Sequence, residues 1–205
     1  VALTSHLLPD APTIPGEVWR AMAQSAATEE DVLAFAANGL NDSDRDAIQA
    51  RLERLQEYAD AVSELSEHGV YAVPSSDERF PQRVNDRRGI RTPPLLIAGG
   101  NLELLYSEGI GIVGSRDLDV AGASFARRTA QESVRNGFCV ISGGAKGTDL
   151  VSMASAVESG GSSIGYMSDS LSKGLRSPSM RDALDEGRLC LASPFSPSVG
   201  FQVAN

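Results

Sequence analysis

The chain has 205 residues, 41% hydrophobic and 22% charged, which suits one compact core plus a smaller appendage and argues against a disordered tail. It lacks the roughly 18-residue apolar run of a membrane span, and its start, VALTSHLLPDAPTIPGEVW, lacks the basic flank of a signal peptide, so a cytoplasmic location with no membrane partner is expected. The formal charge of −9 speaks against a nucleic-acid binder, but residues 1–78 hold 15 acidic against 4 basic residues (−11), whereas residues 79–205 hold 12 against 14 (+2), and charge acts locally.

Along the chain, Thr28 with Asp31 reads as a capping box before Val32, Leu33 and Phe35. Ser43 with Asp46 starts a second helix, on which Ile48, Leu52, Leu55, Ala59, Val62 and Leu65 form one apolar stripe that ends before Gly69. Residues 1–68 are therefore expected to form an acidic, all-helical domain. From residue 69 to 205 the pattern changes to short β-rich runs at 70–73, 95–98, 109–113, 138–141, 163–167 and 189–192, separated by helical stretches, the clearest being Ala121–Asn136 and Asp149–Ser159. Such alternation predicts an α/β, Rossmann-like domain, with a mostly parallel sheet and helices on both faces. Between the two regions, RFPQRVNDRRGIRTPP carries Arg79, Arg83, Arg87, Arg88 and Arg91 against one aspartate, which suits a phosphate-facing surface, an interdomain clamp or a plain solvated loop. Cys139 and Cys190 sit in apolar strand-like runs and are expected to be buried thiols. His6 and His68 cluster with neither of them, leaving no material for a metal site or a histidine-based triad.

Two loops carry the chemistry. IVGSR places Gly114, Ser115 and Arg116 at the carboxyl end of a strand, where folds of this class bind ligands: the glycine permits close approach, and the guanidinium grips a phosphate bidentately. The next strand runs into Ser142, Gly143, Gly144, Ala145, Lys146, Gly147, Thr148 and Asp149. Small residues there leave amides facing a ligand, Lys146 adds a point charge, and Thr148 or Asp149 caps the following helix. Gly109, Gly111 and Gly114 satisfy G-x-G-x-x-G but lie before or within a strand, so a dinucleotide cofactor is not expected, and no Walker-type motif is present.

From about Ser66 onward these features resemble the DNA-processing protein A family (DprA, or Smf). Phe80-Pro81, Pro93-Pro94-Leu95-Leu96, Gly100-Asn101, IVGSR, SGGAKGTD, Gly160-Gly161 and Ser193-Pro194 occur in the family's order. The resemblance implies a non-enzymatic protein that binds single-stranded DNA, forms homodimers and delivers the strand to a RecA-type recombinase in DNA uptake or recombination. It also implies that the DNA pocket uses Gly114, Ser115, Arg116, Ser142, Gly143, Ala145, Gly147 and Asp149. Ser152-Met153 replaces the family's Ala-His, marking a divergent branch, and the family pattern continues beyond Asn205 into elements expected to complete the domain. Residues 1–68 resemble the family's SAM-like helical domain by position and by Pro15-Gly16 only.

Two other readings remain open. The phosphoribohydrolases of the same superfamily carry P-G-G-x-G-T-x-x-E, and Gly143 to Thr148 is a near relative of that signature. Val151 stands where their catalytic glutamate would be, and a valine can neither position water nor stabilise an oxocarbenium ion. A nucleotide-binding sensor using the same pocket is the second.

Overall fold

The computed structural model describes residues 7–8, 10–25, 29–38, 40–81, 92–168 and 170–197. Four helices come first: α1 (Gly16–Ser25), α2 (Glu29–Ala37), α3 (Asp42–Leu52) and α4 (Leu55–Glu67). Thr28 lies outside the described residues. The cap of α3 is Asn41, whose side chain accepts from the Asp44 N–H at 2.8 Å, in place of the expected Ser43. The continuous apolar stripe is cut at Glu53-Arg54, and its two parts serve different cores. Ala47 and Ile48 pack with Ile14, Met22 and Ala36, whereas Leu65 packs against Val70, Leu95 and Ile97 of the sheet region. A single straight helix cannot face both. The chain leaves α4 through Gly69, whose φ of +70° is open to glycine without strain.

The rest is α/β: β1 (Val70–Pro74), β2 (Leu95–Gly100), a 3₁₀ turn (Leu102–Tyr106), β3 (Gly109–Gly111), α5 (Val120–Arg135), β4 (Cys139–Ser142), α6 (Thr148–Glu158), β5 (Ser163–Tyr166), α7 (Leu171–Leu175), α8 (Pro178–Asp185) and β6 (Leu189–Ser193). The strands form one sheet in the order β1-β2-β6-β5-β4-β3. Strands β3 to β6 pair in parallel, giving the Rossmann-like class. By contrast β1 and β2 join antiparallel, with Val70 opposite Gly99 and Ile97 opposite Ser193.

Because β3, β4, β5 and β6 step in one direction across the sheet, right-handed crossovers deliver every connecting helix to the same side. Val140, Leu189 and Leu191 accordingly meet α5 to α8 through Ala130, Met153, Ala156, Leu171 and Ala183. On the opposite face, among the described residues, Cys139, Ile164, Cys190 and Ala192 are covered by the 3₁₀ turn through Leu105, and Leu96 and Val73 by Phe80. Helical elements thus cover the sheet on both faces, α5 to α8 on one and the 3₁₀ turn on the other.

Several residues that carry the family resemblance have structural jobs. Phe80 is fully buried, Asn101 caps the 3₁₀ turn and donates to the Gly187 carbonyl at 2.9 Å, and the Ser193 hydroxyl donates to the Met167 carbonyl at 3.0 Å.

Candidate nucleic-acid interface

Parallel pairing of β3, β4 and β5 brings their carboxyl ends side by side, so the loop after β3 and the loop after β4 lie against each other. They are fastened directly. Thr148 donates its backbone N–H (3.0 Å) and its hydroxyl (3.1 Å) to the Ser115 carbonyl, and the buried Ser142 hydroxyl donates to the Ile112 carbonyl at 2.6 Å. Gly147 has φ +90°, and a Cβ there would stand 2.6 Å from the Arg116 carbonyl oxygen, so only glycine allows the crossing. At Gly114 a Cβ would stand 2.6 Å from the Thr148 hydroxyl.

The glycine loop departs from the expected anion nest in one respect. Asp149 is only 8% exposed and turns back, its Oδ2 accepting from the N–H groups of Gly143 (3.1 Å) and Ala145 (3.3 Å). Those two amides hold the loop's shape and do not face a ligand. Neither Thr148 nor Asp149 caps α6, whose cap position is Gly147, with no side-chain cap. The exposed Ser115 hydroxyl is likewise engaged on its own loop, donating to the Asp117 carbonyl at 2.8 Å. Asp119, not singled out in the sequence, caps α5 by accepting from the Gly122 N–H at 2.7 Å.

Beside this junction lies a groove of about 510 Å³ lined by Arg116, Gly143, Gly144, Ala145 and Lys146 from the two loops, together with Lys173, Ser168, Ser170 and Ser177 from the segment after β5. Of the residues the sequence singles out, Gly114, Ser115, Ser142, Gly147 and Asp149 do not line this groove; their contacts hold its two loops in shape. Lys173 and the serines went unnoticed because the single glycine of SDSLSKGLRSPSM, Gly174, lies inside a helix and not directly after the strand; only the adjacency of β5 to β4 brings them in. Among the described residues no carboxylate lines the groove, while Arg116, Lys146 and Lys173 are all exposed cations. Lys146 reaches Asp117 at 3.3 Å, a solvent-exposed pair of little strength. Such a wall favours a phosphate-bearing ligand of nucleotide size.

The arginine-rich segment contributes only Arg79 to the described residues, and Arg79 pairs with Asp77 at 2.7 Å; Arg83, Arg87, Arg88 and Arg91 lie outside them. Among the described residues no three His, Cys, Asp or Glu side chains gather as a metal-holding group, and no helix is long and apolar enough to cross a membrane. Gly109 and Gly111 lie within β3 itself, where a dinucleotide fingerprint cannot operate. Burial pushes the Cys139 thiol up to about 11 and the Cys190 thiol up to about 12.

Fold and groove together define a Rossmann-like domain with a cationic cleft at the carboxyl ends of its parallel strands. The chain belongs to the DNA recombination-mediator protein A family, whose model matches residues 71–197. It is 34% identical over 104 residues to the DNA processing protein DprA of Bacillus subtilis (strain 168), an alignment that takes in 49% of this chain and 34% of the relative, so the matched part spans about a third of that protein. In fold it resembles DprA from Streptococcus pneumoniae, with TM-score 0.70 and 18% identity over 96% of this chain and 68% of that one. It also resembles DNA processing protein A from Helicobacter pylori, a protein with a described single-stranded DNA binding mode, with TM-score 0.50 and 18% identity over 65% and 59% of the two chains.

Proposed function

We propose that the chain binds single-stranded DNA in the groove between the two glycine loops and acts as a recombination mediator that passes the strand to a RecA-type recombinase. The observation that carries this reading is the lining itself: Arg116, Lys146 and Lys173 share one groove, and among the described residues no carboxylate lines it, Asp117 reaching Lys146 from outside. Family membership supplies the kind of ligand. Arg116 grips a phosphate, Lys146 and Lys173 add point charges, and Gly143, Gly144 and Ala145 let the strand come close to the backbone. Gly114, Ser115, Ser142, Gly147 and Asp149 act by holding the loops together. The chain works as a homodimer in the cytoplasm, with no cofactor, its helices α1 to α3 gathering around their own apolar cluster at Ile48 while α4 packs on the sheet.

The reading is of a binding protein and not a hydrolase. Val151 lies on α6 facing a different groove and carries no acid for a phosphoribohydrolase reaction. Incubation with nucleoside monophosphates is expected to release no base; release abolished by Asp149→Asn would replace this reading with the enzymatic one.

The deciding experiment is a titration with an oligothymidine and with a mononucleotide at two salt concentrations. The oligomer is expected to bind with a steep salt dependence from counterion release, and the mononucleotide weakly. Arg116→Ala should lower oligomer affinity strongly, and Arg116→Lys should restore it only in part because the fork geometry is lost. Unchanged affinity in a folded Arg116→Ala variant would remove this residue from the site.

A further inference from the structure

The cationic groove does not end at Lys173. It abuts a second groove of about 720 Å³ between α6 and α8, and the two share Leu150, Ser179 and Met180. A chain-like ligand leaving the first groove over Leu150 and Met180 enters the second.

The chemistry of the wall changes at that saddle. The second groove is lined by apolar Val151, Ala154 and Val157, with three carboxylates, Glu158, Asp182 and Glu186, against two cations, Arg127 and Arg188. Arg188 occupies Glu186 and also donates to the Val157 carbonyl. Glu158 and Asp182 are exposed and form no ion pair among the described residues. With Arg188 held by Glu186, Arg127 is left to face both Glu158 and Asp182, so a phosphodiester backbone would meet an excess of carboxylates there. A nucleobase would meet an apolar floor for its ring and carboxylates able to accept from an exocyclic amino group, as aspartate and glutamate accept from cytosine N4.

We propose that this second groove receives bases of the same strand whose phosphates occupy the first, and that it favours bases with an amino edge, cytosine above thymine. The inference rests on the single-strand reading of the first groove and adds to it a route and a base preference. The saddle separates the two functions: cations on one side hold the backbone, and an apolar, acid-rimmed surface on the other takes the rings.

The test uses the full chain with three labelled oligomers of equal length: oligothymidine, oligocytidine and an abasic strand of the same phosphate count. The abasic strand should bind about tenfold more weakly than oligocytidine, the scale of losing one well-seated base. Oligocytidine should bind about fivefold more tightly than oligothymidine, the lower end of what one base-edge contact discriminates. In the double variant Glu158→Ala, Asp182→Ala, both exposed helical positions, that cytosine-to-thymine ratio should fall to near one, while the salt slope stays that of the parent. A ratio that survives the double variant overturns the proposal. So does an abasic strand held as tightly as the others; if it keeps a steep salt dependence, the phosphate groove stands and only the base groove is lost. Failure to bind any of the three strands would instead sink the single-strand reading itself.

Discussion

Thr148 and Ser115 form the hinge-pin of the site: one carbonyl oxygen, on Ser115, accepts both the backbone N–H and the hydroxyl of Thr148. The loop that follows β3 is therefore positioned by the first residue of a helix in the next β-α unit, and Arg116 takes its place from that contact. Thr148→Val keeps the shape and deletes the hydroxyl bond. The expected loss is about 1 kcal/mol of stability, read as a lower urea midpoint with an unchanged slope. Oligonucleotide affinity should fall with it, since the Ser115 carbonyl next to Arg116 then keeps only one of its two bonds.

Gly147 admits no side chain, because its φ of +90° is unfavourable for any L-residue and the Arg116 carbonyl oxygen occupies the space. Gly147→Ala should cost more than about 2 kcal/mol, by strain and backbone displacement together. Gly137, with φ +78° and nothing near its would-be Cβ, provides the control: alanine there bears only the dihedral strain. Similar thermal midpoints for the two variants would contradict the crossing-loop account.

Lys146 and Lys173 lie on different loops of the same groove. Each is expected to account for one phosphate, so Lys146→Ala and Lys173→Ala should each flatten the slope of log affinity against log salt by about 0.7, and together by about twice that. Asp117→Asn, which releases Lys146 from its surface pair, should raise affinity slightly at low salt and not at high salt.

The two cysteines should be inert in the folded protein and make it less stable in alkali. Burial holds Cys139 at about 11 and Cys190 at about 12, against an ordinary value of 9.0. Above pH 9 the unfolded chain therefore gives up thiol protons that the folded chain retains, so stability falls as pH rises, and it is insensitive to these groups below about pH 8. Urea midpoints measured from pH 7 to 10 should show that decline, and Cys190→Ala, less stable throughout, should show a shallower one. A chromogenic disulfide reagent at pH 8 should label neither thiol until denaturant is added.

Arg51 is 2% exposed, donates from Nε to the Pro12 carbonyl at 2.6 Å, and lies over the Tyr58 ring with its guanidinium carbon 5.9 Å from the centroid. It joins the segment before α1 to both α3 and α4. Arg51→Ala should strand the Pro12 carbonyl and open the helical region at a cost of at least about 2 kcal/mol, seen as faster proteolysis within residues 1–68. Oligonucleotide affinity should change little, because none of these residues lines the groove.

Local pattern was enough for the element types and for the two loops. Period-2 and apolar runs placed all six strands of the sheet, and glycine after a strand marked Gly114 and Gly143-Gly144 as places where something approaches the backbone, because such demands are made by consecutive residues. The cut at Glu53-Arg54 was not legible, since an unbroken stripe on one helix looks the same whether it faces one core or two. Nor was the antiparallel entry of β1 and β2, because strand direction is set by which neighbour a strand finds. Asp149 shows the same limit at the site: its sequence position suits a helix cap, but the curl of the loop brings the Gly143 and Ala145 amides to its carboxylate, and the two charge-assisted contacts outweigh the cap. Lys173 was invisible for a related reason. It lies 27 residues from Lys146, and only the pairing of β5 beside β4 puts the two cations on one wall, so the charge of the groove belongs to the order of strands in the sheet.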